Sequence, residues 1–136
     1  MGRVLAIDYG SKRTGIAVTD ELQLIASGLT TVNTGDLFHF LREYFSNETV
    51  EVIVVGEPKQ RDGNHSDIEQ AIQRFLEKLQ QEFPTLPVAR VDERFTSKLA
   101  FQSLLASGVK KKQRQNKALL DEVSATIILQ TYLDRK

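Results

Sequence analysis

The sequence of 136 residues contains no cysteine. This absence excludes thiolate zinc sites, iron–sulfur clusters and cysteine nucleophiles, and it is compatible with a reducing compartment. No apolar run reaches the roughly 20 residues that a membrane-spanning helix needs. The first residues, MGRVLAID, lead directly into a predicted strand rather than into a secretory signal. We therefore expect a soluble cytoplasmic protein without a membrane partner, folded as one domain over residues 1–136.

An excess of charge of one sign is also missing, because Lys plus Arg and Asp plus Glu both total 18. The net charge therefore gives no argument for a nucleic-acid partner, and any such argument depends on local clusters. Aromatic residues are few, and most of them occupy helical core positions: Phe38, Phe45, Phe75 and Phe101. Base stacking on aromatic side chains consequently receives little support.

The chain is organised around residues 5–18, which read LAIDYGSKRTGIAV. Four apolar residues lead to Asp8 at the last position of a predicted strand, and a turn rich in glycine and positive charge follows. A carboxylate at the end of a buried strand is costly to desolvate unless something compensates it. The alternative is an Asp that simply favours a turn, but such a residue is expected inside the turn. The pattern favours a functional carboxylate.

The remaining chain predicts three strands, a helix, a strand, a helix, a strand and two helices. Short right-handed crossovers would then give an α/β fold, a mixed five-stranded sheet with three antiparallel strands followed by two parallel ones and helices on both faces. The patterns place strands at 4–8, 14–18, 24–32, 50–56 and 88–91, and helices at 34–47, 68–79, 96–108 and 118–133.

Three acidic residues, Asp8, Glu93 and Asp121, come from separate parts of the sequence, two at strand ends and one early in the last helix. If they converge, their mutual repulsion requires a cation, and hard divalent ions such as Mg²⁺ or Mn²⁺ take oxygen ligands. Asp92 and Glu93 would point to opposite faces of the sheet, and we favour Glu93. An acid in the position of Asp121 is also explained by the helix dipole, and Glu57 is either a further ligand or an ordinary loop residue.

Four blocks of this sequence resemble the signature motifs of the YqgF family: DYGSKRTGIAV, VGEPKQRDG, VDERFTS and KALLDEVSATIIL. Members of this family have an RNase H-like fold, are related to the RuvC Holliday junction resolvases and are regarded as nucleases that trim precursor 16S ribosomal RNA. The resemblance implies that Asp8, Glu93 and Asp121 are the catalytic, metal-binding acids. The chain departs from the family pattern at Glu57, where leucine is usual, and at Ser124, where alanine is usual.

Positive charge is concentrated in residues 110–117, KKKQRQNK, a segment without any acidic residue next to the helix that carries Asp121. Further basic residues lie near the ends of the predicted strands. We expect a phosphate backbone to bind there, by contacts that do not read the bases, although a solvated loop is the alternative. The candidate nucleic-acid-binding residues are Lys12, Arg13, Arg94, Lys110, Lys111, Lys112, Arg114 and Lys117.

Three functions remain open at this stage. The first is a metal-dependent endonuclease acting on precursor ribosomal RNA or on branched DNA. The second is a phosphotransferase, because an Asp-X-Gly-Ser turn after a strand also occurs in actin-like ATPases, but the chain lacks a second lobe. The third is a non-catalytic nucleic-acid-binding module on the same fold. The sequence leaves open whether the chain is a monomer or a homodimer.

Overall fold

The structure, a computed structural model, describes residues 2–58, 68–93 and 117–135. The described part contains five strands and three α-helices. The strands are β1 (Arg3–Asp8), β2 (Arg13–Thr19), β3 (Ala26–Asn33), β4 (Val50–Glu57) and β5 (Val88–Asp92). The helices are α1 (Leu37–Asn47), α2 (Glu69–Glu82) and α3 (Lys117–Arg135).

All five strands form one sheet in the order β3-β2-β1-β4-β5. β2 pairs antiparallel with both β1 and β3, whereas β4 pairs parallel with both β1 and β5. The predicted mixed sheet, with three antiparallel strands followed by two parallel ones, is confirmed. β1 lies in the centre and its residues 4–7 are fully buried, as expected for a strand covered on both faces.

Each face of the sheet has its own hydrophobic core. On one face, large side chains of β1, β2 and β4 pack against α1 and α2: Leu5, Ile7, Ile16, Val18, Leu37, Leu41, Ile53, Val55, Ile72, Phe75 and Leu79. On the other face, smaller side chains pack against α3: Val4, Ala6, Ala17, Val54, Val91, Ala125, Ile128 and Leu129. Alternate residues of a strand point to opposite faces. In β1, Leu5 and Ile7 therefore join the first core, whereas Val4 and Ala6 join the second.

The third strand begins at Ala26 rather than at the predicted Leu24. Asp20 explains the difference, since its carboxylate accepts hydrogen bonds from the backbone N–H groups of Leu22, Leu24 and Ile25, at 3.2, 2.8 and 2.8 Å. Ionised Asp can replace sheet hydrogen bonds with such local ones. The turn therefore extends through Ile25, and pairing with β2 starts one residue later.

The predicted helix at 34–47 begins with a 3₁₀ turn at Thr34–Asp36, and α1 follows it. The helix predicted at 96–108 lies outside the described residues, as does most of the loop that follows Pro58. No helix in the described part of the chain is long and apolar enough to cross a membrane.

Candidate active site

Asp8 is the last residue of β1 and lies on the face of the sheet that α3 covers. It follows Val4 and Ala6 in the strand alternation, and both of these residues belong to the core under α3. In the ladder Asp8 is paired with Gly15 of β2. A Cβ atom on Gly15 would lie 2.1 Å from the carbonyl oxygen of Asp121. The missing side chain of Gly15 therefore allows α3 to bring Asp121 close to the end of β1.

Glu93 directly follows β5 and lies on the same face. In β5, Ala89 and Val91 belong to the core under α3, so the alternation places Glu93 on their side and Asp92 on the opposite one. The side chain of Glu93 lies over Gly56 of β4, where an added Cβ would be 2.5 Å from Cδ and Oε2 of Glu93. A hydrogen bond of 3.0 Å from the Glu93 N–H to the Glu57 carbonyl holds its backbone in place. The geometry thus selects Glu93, not Asp92, as the partner of Asp8.

The carboxyl groups of Asp8 and Glu93 lie close enough for each to shift the pKa of the other. Burial raises the pKa of Glu93 to about 10, and the charge and hydrogen bond of Asp8 act in the same direction. Burial also raises the pKa of Asp8, and the charge of Asp121 adds to this effect. Two neighbouring carboxyl groups that are shielded from water cannot both ionise without a compensating cation.

Oε2 of Glu93 is buried and receives no hydrogen bond from an N–H or O–H donor within the described residues. An unsatisfied buried oxygen of this kind is costly. Here it lies beside a second carboxyl, and this oxygen-rich donor set suits a hard divalent cation. The observed side chains of Asp8 and Glu93 therefore fit the ion that the sequence predicts.

Asp121 lies near enough to raise the pKa of Asp8, but its carboxylate is bound elsewhere. Its Oδ2 accepts a hydrogen bond of 2.9 Å from Nε of Arg13. Across residues 2–58, 68–93 and 117–135, no group of three or more acidic, histidine or cysteine side chains is arranged to hold a metal ion. The structure therefore brings the three predicted acids to one face, with two in direct contact and the third paired with an arginine.

The predicted phosphate-binding residues are only partly within the described residues. Lys12 is exposed at the turn after β1, and Arg13 begins β2 and is half-buried. Lys117 is the first residue of α3. The other members of the predicted set, Arg94, Lys110, Lys111, Lys112 and Arg114, lie outside the described residues.

Sequence reasoning missed an ion pair beneath the site, between Arg90 of β5 and Glu69 of α2. The Arg90 guanidinium donates to both carboxylate oxygens of Glu69, at 2.9 and 3.1 Å. It also donates to the carbonyls of Val55 and Gly56, at 3.1 and 2.9 Å. This side chain therefore ties the end of β4 to the start of α2. An arginine inside the apolar run VARVD was the available signal.

Comparison with known proteins places these features in a family. The family model described as "RuvX: Holliday junction resolvase" matches residues 2–135. A relative from Flavobacterium psychrophilum is 60% identical over 136 residues, which cover 100% of this chain and 99% of the relative. A relative from Christiangramia forsetii is 61% identical over 133 residues, covering 98% of each chain. Both carry the name "Putative pre-16S rRNA nuclease".

Among solved structures, the chain is similar to Thermus thermophilus RuvC in complex with a Holliday junction substrate, with a TM-score of 0.53 and 16% identity. The match covers 99% of this chain and 96% of that one, and it establishes a shared fold. The RNase H-like fold expected from the motifs is thereby confirmed. On the full-length match to its model and the identity to its members, this chain belongs to the RuvX family, also called YqgF.

Proposed function

We propose that this protein is a divalent-metal-dependent endonuclease that hydrolyses phosphodiester bonds at the ends of precursor 16S ribosomal RNA. The observation that carries the proposal is the close approach of the partly buried carboxyls of Asp8 and Glu93, with Asp121 on the same face. Such a contact is unfavourable in the folded protein unless it serves a ligand. The RNA substrate is supported by the names of full-length relatives at 60% and 61% identity.

In this proposal Asp8, Glu93 and Asp121 hold Mg²⁺ or Mn²⁺. The bound ion supplies a nucleophilic water at neutral pH and offsets the negative charge that develops on the phosphate. Asp8 and Glu93 would both be ionised when they hold the ion, because a coordinating carboxylate must be ionised. The protein's own contribution is the fixed placement of these groups at the ends of β1 and β5.

Basic side chains around this edge hold the RNA backbone. Lys12 is exposed in the turn between β1 and β2, whereas Arg13 is half-buried against α3. If about four phosphates are neutralised, the logarithm of affinity falls with the logarithm of salt concentration with a slope near minus three to minus four. A slope near zero would argue against this mode of binding.

A side-by-side cleavage assay tests the proposal. The wild type, Asp8→Asn and Glu93→Gln are each incubated with precursor 16S ribosomal RNA ends and with a four-way DNA junction, with Mg²⁺, with Mn²⁺ and with EDTA. We expect the wild type to cleave the RNA only with metal, and both variants to lose at least about 100-fold in rate. Circular dichroism of the variants confirms that they remain folded. Unchanged cleavage by Asp8→Asn would remove this site from the chemistry.

The second candidate is a Holliday junction resolvase acting on branched DNA, and it is favoured by the fold shared with a RuvC that was solved with a Holliday junction. Preferential cleavage of the four-way junction in the same assay would select it. The third candidate, a non-catalytic nucleic-acid-binding module, predicts that neither substrate is cleaved and that a Mn²⁺ titration detects no binding.

A further inference from the structure

Arg13 and Asp121 are 108 positions apart in sequence and meet at the edge of the candidate active site. Nε of Arg13 lies 2.9 Å from Oδ2 of Asp121, and the two side chains are 38% and 25% exposed. Solvent screens a pair this accessible, so its net stability is small. It can therefore open at low cost when a competing ligand arrives.

The backbone of Asp121 has little freedom to respond to such a ligand. Gly15 packs directly against it, since an added Cβ would lie 2.5 Å from the Asp121 carbonyl carbon. Ser124 and Ala125, which follow in α3, are also buried against the sheet. Any change of partner by the Asp121 carboxylate must therefore occur by side-chain rotation alone.

The three acids differ in what compensates their charge. Within the described residues Oε2 of Glu93 has no hydrogen-bond partner, whereas the carboxylate of Asp121 is paired with a guanidinium. The guanidinium occupies an oxygen that the proposed metal site needs, and the described residues contain no assembled group of three acidic ligands. Arg13 therefore competes directly with a divalent ion for Asp121.

An arginine is suited to leave Asp121 for a nucleic acid, because a guanidinium binds phosphate as readily as carboxylate and through the same N–H groups. Arg13 begins β2, at the end of the turn that carries the exposed Lys12. A phosphate bound at this turn would lie within reach of the guanidinium. Its arrival would release Asp121 for the metal.

Building on the proposed function, we propose that Arg13 is a positioning residue that couples the two ligands of the site. It holds Asp121 away from the metal until a phosphate backbone draws the guanidinium away. Substrate binding and divalent-ion binding then strengthen each other, and by linkage the factor is the same in both directions. Couplings of this kind are typically about 5- to 150-fold, and for one partly exposed ion pair we expect about tenfold.

The test measures Mn²⁺ binding by electron paramagnetic resonance of the free ion, with and without a fully phosphorothioate RNA oligonucleotide that stays intact on a gel. The proteins are the wild type, Arg13→Gln, Arg13→Lys and, as the matched control, Arg74→Gln. Arg74→Gln makes the same substitution at an exposed position of α2, which covers the opposite face of the sheet. Thermal unfolding of each variant confirms that it is folded.

We expect the oligonucleotide to tighten Mn²⁺ binding about tenfold in the wild type and in Arg74→Gln. Arg13→Gln should bind Mn²⁺ about tenfold more tightly than the wild type without oligonucleotide, and the oligonucleotide should add nothing. Arg13→Lys should lie between the two. A merely structural role for Arg13 predicts the opposite sign, weaker Mn²⁺ binding in Arg13→Gln.

Weaker or unchanged Mn²⁺ binding in Arg13→Gln would overturn the inference, as would tightening by the oligonucleotide that persists in this variant. Either result leaves the proposed function intact, because the wild type still binds Mn²⁺. Absence of Mn²⁺ binding by the wild type in both conditions would overturn the proposed function and this inference together.

Discussion

The two faces of the sheet are built from different kinds of residue. The face under α1 and α2 is packed with large aliphatic and aromatic side chains, including Phe75, whose ring centroid lies 5.1 Å from that of Tyr9 and 5.3 Å from that of Phe38. The face under α3 has alanine and glycine where the other has leucine and isoleucine. Large side chains bury more apolar area and contribute more stability, whereas small ones let a helix approach closely.

This difference separates the residues that stabilise the fold from those that position the acids. The three acids lie on the face of small residues, and two of them rest on a glycine: Asp121 on Gly15 and Glu93 on Gly56. On that face an added methyl group should move a carboxylate. On the other face a much larger change should leave the acids in place. Four predictions test this division, from the largest expected effect to the smallest.

Among variants that leave the three acids themselves unchanged, Gly15→Ala should have the largest effect, because its new Cβ would lie 2.1 Å from a backbone oxygen of α3 that cannot rotate away. The helix must shift, and a displacement near 1 Å in an active site costs about 100-fold in rate. We expect at least this loss of RNA cleavage, together with a lower melting temperature. Cleavage rates per folded molecule and thermal unfolding measure the two effects.

The matched control for this variant is Gly28→Ala on β3, which faces the same helix. Its added Cβ would be 3.3 Å from the Thr126 hydroxyl and 3.4 Å from Cβ of Glu122, contacts that a small adjustment relieves. Gly28→Ala should retain cleavage close to that of the wild type. Equal losses in both variants would mean that the approach of α3 is not specific to the site.

Leu41→Ala tests the opposite face. Leu41 is fully buried in the core between α1 and the sheet, and truncation of such a residue costs about 2 to 5 kcal/mol of unfolding free energy. We expect this loss in urea unfolding, with cleavage per folded molecule unchanged because none of the acids touches this core. A large fall in the rate of the folded fraction would show that the two faces are not independent.

The sequence was sufficient to predict the arrangement of the sheet, because the strands have clear apolar patterns and short connections. It also predicts a functional role for Asp8, whose position after four apolar residues is unusual for a turn residue. It could not choose firmly between Asp92 and Glu93, since that choice depends on how far the alternation of β5 persists past the strand end. The pairing of Asp121 with Arg13 was equally inaccessible, because it depends on the packing of α3 against Gly15.

Asp8→Asn should make the metal-free protein more stable while it abolishes cleavage. In the folded wild type the pKa of Glu93 is raised to about 10, so the folded state holds its proton more tightly than the unfolded state does. The stability from this proton is fully present below the unfolded value near 4.5 and is lost as the pH rises toward 10. Removal of the Asp8 charge should reduce this fall in stability, and we expect a gain in unfolding free energy on the order of 1 to 3 kcal/mol.

Urea unfolding in EDTA, from about pH 5 to about pH 9, measures this effect. The stability gain of Asp8→Asn over the wild type should grow with pH across this range. A gain that is absent, or that falls as the pH rises, would mean that the carboxyl pair is not strained. Asp36→Asn is the control, because Asp36 is exposed and its substitution should leave the pH dependence of the wild type unchanged.

Arg42→Ala should have the smallest effect, although its geometry is good. Arg42 of α1 makes two hydrogen bonds of 2.8 Å to the carboxylate of Glu82 in α2, and its side chain is 56% exposed. Solvent screens exposed pairs, so we expect little loss of stability and unchanged cleavage. A double-mutant cycle with Glu82→Ala isolates the pair, and salt should weaken it. A large coupling that does not respond to salt would mean that polar contacts between α1 and α2, and not only the apolar core beneath them, stabilise this face.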